Sequence, residues 1–213
     1  MLDSFFHNMT LIISAMFLIN RLKIFILTKQ NISLTLKKVL PIMAGLLSLL
    51  VMLEPFCYQE LVFDLRSIPV FLVSYIIGWR GGLISILIPA SYRLYLGGDA
   101  AAQAIILSLL LPVIISSYFR SNQQNNLLKI KFNIKRILKL YLLFQLFKSV
   151  LQFFITDIPV NLWLKVNINI TIFSLLSLFI MIIITRDFNE AILNRKELEE
   201  KSRLDSMTEL LNF

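Results

Sequence analysis

Glu54, Asp64, Arg66, Arg80 and Arg93 sit in or against apolar runs of this chain. A charge near the middle of a bilayer costs about 2.5–3.5 kcal/mol on insertion scales. Such charges are kept when they pair with one another, line a wet cavity or bind a ligand. The densest group falls in Phe63–Ala100, where two acids and three arginines accompany two prolines and five glycines, around two short apolar stretches. In a later stretch Gln145, Lys148 and Gln152 follow i, i+3, i+7 spacing, which puts them on one helical face. That face disfavours lipid and should turn inward, with Glu54 or Asp64 as the acid that Lys148 requires. Two readings are open for these ions: structural pairing that locks helices together, or a small-molecule site. Convergent polar groups in an apolar wall are the usual form of such a site. We therefore take Asp64, Arg66, Arg93, Tyr95, Glu54 and Lys148 as the candidate ligand-binding residues. Arg80 is expected to snorkel to the interface.

Catalytic patterns are absent from the sequence. It holds no Ser/His/Asp set, phosphate-binding loop or HExxH motif, and its single histidine (His7) and single cysteine (Cys57) cannot build a metal cluster or an intrachain disulfide. No cofactor and no enzymatic activity are expected of these residues.

The elements that must position the charges are membrane helices. Hydrophobic residues make up 57% of the 213 and charged residues 16%, with a mean hydropathy of +0.77. A soluble domain would be about 25% charged. The net charge of +8 is read as loop cations that set topology and touch anionic lipid, not as a nucleic-acid surface. The expected fold class is an all-α polytopic membrane protein, a bundle of six to seven transmembrane or re-entrant helices with a cytoplasmic helical stalk. Apolar stretches run at about 5–19, 39–56, 68–77, 83–96, 100–119, 137–155 and 162–185. The start, MLDSFFHN, lacks a basic signal-peptide region, so the first stretch is read as a retained helix. The stretches 68–77 and 83–96 are short for a 30 Å core. They make two crossings or a re-entrant pair joined at Gly78–Gly82. Pro69 should hold Ile68 extended, so that the chain enters the third stretch by a turn.

Cations follow the first, fifth and last stretches, whereas the loops near Gln59, Gly98 and Pro159 carry few. The positive-inside rule then places the N-terminus outside and the C-terminus in the cytoplasm of a bacterial cell membrane. Beyond Thr185, the positions Ile184, Phe188, Ala191, Arg195, Leu198 and Ser202 follow heptad spacing. This reads either as an amphipathic stub or as a stalk that supports a homodimer.

Several residues resemble a known family. Asp64-Leu65-Arg66 with Pro69, the glycines Gly78, Gly81 and Gly82, Tyr92-Arg93 with Gly97-Gly98, and Asn20-Arg21 are similar to the LytS/YhcK-type five-transmembrane receptor domain, 5TMR-LYT. The resemblance covers roughly residues 5–185, and Trp79-Arg80 departs from the small residues or proline usual there. It implies a sensor at the head of a signalling protein. Some members end in a histidine kinase of a phosphorelay controlling cell-wall organisation, others in a diguanylate cyclase. The helical pattern is also similar to the substrate-binding subunits of vitamin transporters, which implies an outward-facing pocket. Asp205–Asn212 resembles the opening of a GGDEF cyclase domain, with Glu209 in place of the usual glycine. The expected organisation is a sensor over residues 1–186, a stalk over 187–204 and the truncated start of an output domain over 205–213.

Overall fold

The structure is a computed structural model and describes residues 1–26, 32–58, 61–120, 132–156 and 158–203. It is a polytopic all-α fold. Helix α1 (Leu2–Ile26) and α2 (Ile32–Val51) lead into a small antiparallel hairpin, β1 (Phe56–Tyr58) and β2 (Leu61–Phe63). Then follow α3 (Ser67–Ile77), α4 (Trp79–Leu96), α5 (Ala101–Ile105), a π-helical turn (Ile106–Leu110) and α6 (Leu111–Tyr118). Helices α7 (Ile134–Ile155) and α8 (Val160–Arg203) complete the chain. Among the described residues, four segments are long and apolar enough to cross a membrane: Leu2–Arg21, Ala101–Tyr118, Ile134–Ile155 and Val160–Arg195. At 1.5 Å per residue α3 is only about 16 Å long. It begins inside the bundle, and its residues from Ser67 to Tyr75 are all buried.

The short pair is two antiparallel helices, α3 and α4, packed against each other. The joint is narrower than the expected Gly78–Gly82, because Trp79–Gly82 already belong to α4. Gly78 makes the turn alone, at φ +99°, a conformation that favours a residue without Cβ. Gly82 serves packing instead: a Cβ there would strike the Ser74 side chain and Val113. Close backbone approach through small residues is the usual way helices associate in lipid, where the hydrophobic effect gives no net drive. Gly45 acts likewise, since its Cβ would stand 2.8 Å from the Ser85 carbonyl oxygen.

Ile68 is helical, contrary to the extended backbone expected before Pro69. Pro69 falls in the first turn of α3, where backbone N–H groups have no helical partner to lose. The turn itself lies one step earlier, at Leu65-Arg66, with Arg66 at φ −56°, ψ −25°.

The main core gathers Phe5, Phe71, Tyr141, Phe144, Ile170 and Leu178, among others, from α1, α3, α7 and α8. Phe71 meets Tyr141 edge-on at 5.0 Å between ring centroids. Helix α8 spans 44 residues without interruption, about 66 Å. Phe17 of α1 packs edge-on against Phe188 of α8, 5.7 Å between centroids, so α1 accompanies α8 to this level. The buried residues on this part of α8 are Thr185, Asn189 and Ile192, while Ala191, Arg195 and Leu198 of the expected heptad are exposed.

Candidate functional site

The segment between β2 and α3 carries the site. It is irregular backbone inside a membrane bundle, which is tolerated only where protein or a cavity satisfies it. Five contacts do so here. Asp64 Oδ1 accepts from the Arg66 backbone N–H at 3.0 Å and from Arg66 Nε at 2.6 Å. The second carboxylate oxygen pairs with Arg66 Nη2. Ser48 Oγ of α2 donates to the Arg66 carbonyl at 2.9 Å. Ser67 Oγ and the Tyr141 hydroxyl share a hydrogen bond of 3.0 Å. Asp64 is 4% exposed and Arg66 1%. A planar guanidinium paired with a carboxylate in this two-pronged way is the geometry that best offsets desolvation.

The bonding continues into α7 and α8. Gln145 Nε2 donates to the Tyr141 hydroxyl at 3.3 Å and to Ser174 Oγ at 3.2 Å. Ser67, Tyr141, Gln145 and Ser174 therefore form one buried polar ladder from the start of α3 to α8. The expected inward face of α7 is present, since Gln145, Lys148 and Gln152 are all buried.

Beside the ion pair lies a narrow cleft of about 30 Å3. Its polar lining is Arg93 of α4, Gln103 of α5, Ser108 of the π turn, and Lys148 and Gln152 of α7. Phe63, the residue before Asp64, closes one wall. Arg93 Nη1 donates to the Gly97 carbonyl at 2.7 Å and so caps its own helix. The Lys148 ammonium is within electrostatic reach of Asp64, which attracts it, and of Arg66, which repels it. Gln152 Oε1 is buried without a hydrogen-bond partner.

Of the six sequence candidates, Asp64, Arg66, Arg93 and Lys148 fall at this ion pair and cleft. Glu54 and Tyr95 do not. Glu54 lies past the end of α2, exposed, and its carboxylate contacts His7 Nδ1 at 3.1 Å. Asp64, not Glu54, is the acid near Lys148. Tyr95 is 85% exposed, because two residues along a helix from Arg93 is about 200° of rotation. Arg80 is exposed, with its guanidinium 5.4 Å from the Trp79 ring centroid, as a snorkelling arginine would be.

Ser108 and Gln103 escaped the sequence reading. One signal was available for Ser108: Pro112 stands four residues on and cannot donate to the Ser108 carbonyl. The helix widens at that point, with the Leu111 N–H bonded to the Ile106 carbonyl five residues back. Such π turns are frequent at functional sites.

A family profile described as the 5TMR of 5TMR-LYT matches residues 19–188. The chain belongs to the 5TMR-LYT family. No curated protein and no solved structure matches it. The 5TMR-LYT match takes in the ion pair, the cleft and nearly all of the membrane part, and begins one residue before Asn20-Arg21. The chain thus carries a sensor domain of the type found in membrane receptors. The cyclase-like stretch Asp205–Asn212 lies outside the described residues.

Proposed function

We propose that this 5TMR-LYT chain is the membrane half of a bacterial signalling receptor, in which the Arg93–Lys148 cleft takes a small anion from the outer side. One observation carries the reading. The cleft has two cations in its wall and no acidic side chain among its lining residues. The nearest carboxylate known to act on Lys148, Asp64, is already engaged two-pronged by Arg66. In a low-dielectric surround, a buried ammonium whose facing carboxylate is already held by a guanidinium favours an anionic guest. Binding would draw α4 and α7 together, and the ladder from Ser67 to Ser174 would pass the change to α8. That helix continues past the membrane span and would present it to a diguanylate cyclase output, as the Asp205–Asn212 resemblance supports. A transporter subunit has no need of such an extension.

Thermal unfolding of the full chain in nanodiscs, against a panel of small mono- and dicarboxylates and their neutral amides, tests the cleft. The expected result is a raised midpoint with one or more of the acids, lost in Lys148→Met. Stabilisation by the amides equal to that by the acids would overturn the anion assignment. Orientation is tested by the native Cys57, which is exposed on β1. It should react with a membrane-impermeant maleimide in intact cells, whereas a cysteine at Leu198 in a Cys57→Ser background should not. The reverse pattern would place the cleft on the cytoplasmic side.

A further inference from the structure

The opposite end of the bundle gathers three arginines around Gly78. Arg80 lies in the first turn of α4, two residues from the Gly78 corner. Arg120, just past α6, lays its guanidinium against Gly78 so closely that a Cβ there would stand 2.7 Å from Nη1. Arg136 of α7 reaches the carbonyl of Phe119, the neighbour of Arg120, at 3.5 Å, and acts electrostatically on Tyr75 near the end of α3. Arg120 and Arg136 thus bring their guanidinium groups to one corner, and α4 starts there with Arg80 exposed two residues after Gly78. None of the three has an acidic partner among the described residues. Like charges held together without a counter-ion repel, and the arrangement is stabilised when an anion sits between them. Guanidinium forks match phosphate oxygens and grip them with charge-assisted hydrogen bonds. Two aromatic side chains at the same corner, Trp79 and Tyr118, are exposed, as ring systems at head-group level are.

We infer that the Arg80–Arg120–Arg136 corner is a binding site for the phosphate of an anionic phospholipid head group, with Trp79 and Tyr118 against its glycerol and upper acyl region. Gly78 is part of the site. It makes the turn and also leaves the space that the Arg120 guanidinium fills. The site is separate from the anion cleft and does not depend on it, since the lining residues of the two do not overlap.

Native mass spectrometry of the full chain, released from detergent containing phosphatidylglycerol and phosphatidylcholine, reads the number and tightness of retained lipids. At least one tightly held phosphatidylglycerol is expected, with its affinity reduced about tenfold in Arg120→Ala or Arg136→Ala, the loss of one charge-assisted hydrogen bond. Arg120→Lys keeps the charge and loses the fork, and is expected to weaken retention as well. Arg21→Ala removes an exposed cation on α1 whose guanidinium lies over the Phe17 ring, and should leave retention unchanged. The site is refuted if Arg21→Ala weakens retention as much as Arg120→Ala, since the attraction is then diffuse. It is equally refuted if Arg120→Lys binds like the parent chain. Displacement of the lipid by millimolar inorganic phosphate would identify a soluble phosphate site instead and overturn the lipid assignment.

Discussion

The two ends of this bundle handle arginine in opposite ways. At the hairpin end Arg66 is buried, pinned by Asp64 through its side chain and by Ser48 through its carbonyl. At the Gly78 end Arg80, Arg120 and Arg136 are exposed and have no acidic partner among the described residues. The first arrangement is closed and rigid, because a buried charge tolerates little change in its partner. The second is open to whatever anion the surroundings supply. The same residue type therefore serves as a fixed structural post in one region and as an unfilled socket in the other, and burial decides which.

The largest effect expected from breaking this contrast is at the post. Asp64→Ala leaves Arg66 buried and unpaired, at a cost of about 3–5 kcal/mol. The double variant Asp64→Ala, Arg66→Met removes both charges and should recover much of that loss in chemical denaturation from mixed micelles. Strict additivity of the two single changes would show that the pair is not coupled. Arg80→Ala at the other end is expected to leave stability within about 0.5 kcal/mol of the parent.

A smaller effect is expected at the packing site that joins the two ends. Gly82→Ala pushes a methyl group into Ser74 and Val113, and overpacking of this kind costs roughly 1–3 kcal/mol. A midpoint of thermal unfolding equal to that of the parent would mean that α3, α4 and α6 separate easily there. Smaller again is Tyr141→Phe, which keeps the ring against Phe71 and removes the hydroxyl shared by Ser67 and Gln145. Interhelical hydrogen bonds in membranes average roughly 0.6 kcal/mol; one is lost here, to Ser67, with a second inside α7, to Gln145. The expected signature is therefore a modest loss of stability, with faster hydrogen exchange on α3 and α8 together. Faster exchange on α7 alone would show that the ladder does not connect them.

The least effect is expected far from both ends, at Glu197 and Lys201 on α8. Their ion pair, 2.8 Å, is fully exposed. The Lys201 ammonium holds the Glu197 carboxyl below its usual range. The contribution is thus present above the ordinary glutamate pKa and fades as pH falls through the lowered value. Glu197→Gln should leave global unfolding unchanged and speed exchange only in the last turns of α8. A shift in the unfolding midpoint would show that this part of α8 is coupled to the bundle.

Much of the membrane architecture was legible because periodicity and charge are local signals. The inward face of Gln145, Lys148 and Gln152 followed from spacing alone, as did the extension of the last helix beyond the span. Glu54 and Tyr95 misled because they are near the right residues in sequence but not in space. A position two residues from Arg93 faces away from it, and Glu54 lies beyond the end of its helix. The β1–β2 hairpin gave no signal, since FCY and LVF are three residues each, too short to show an alternating pattern. Ser48, Ser67 and Ser174 are unremarkable in isolation. Their importance arises only when three helices bring their hydroxyls to one carbonyl, one phenol and one amide. Gly78 and Gly82 were both visible as punctuation, yet one makes a turn and the other a close contact, a difference that only tertiary packing reveals.

The unbroken course of α8 has a geometric consequence for anything attached beyond it. A straight helix is both a ruler and a protractor: each residue advances the attached body by 1.5 Å and turns it by about 100°. Removing or adding seven residues moves that body about 10 Å and returns it to nearly the same bearing, within roughly 20°. Adding one or two would swing it to a different side of the molecule. Chimeras built on this helix should therefore gain or lose response with a seven-residue rhythm, whatever the chemistry of the module they carry.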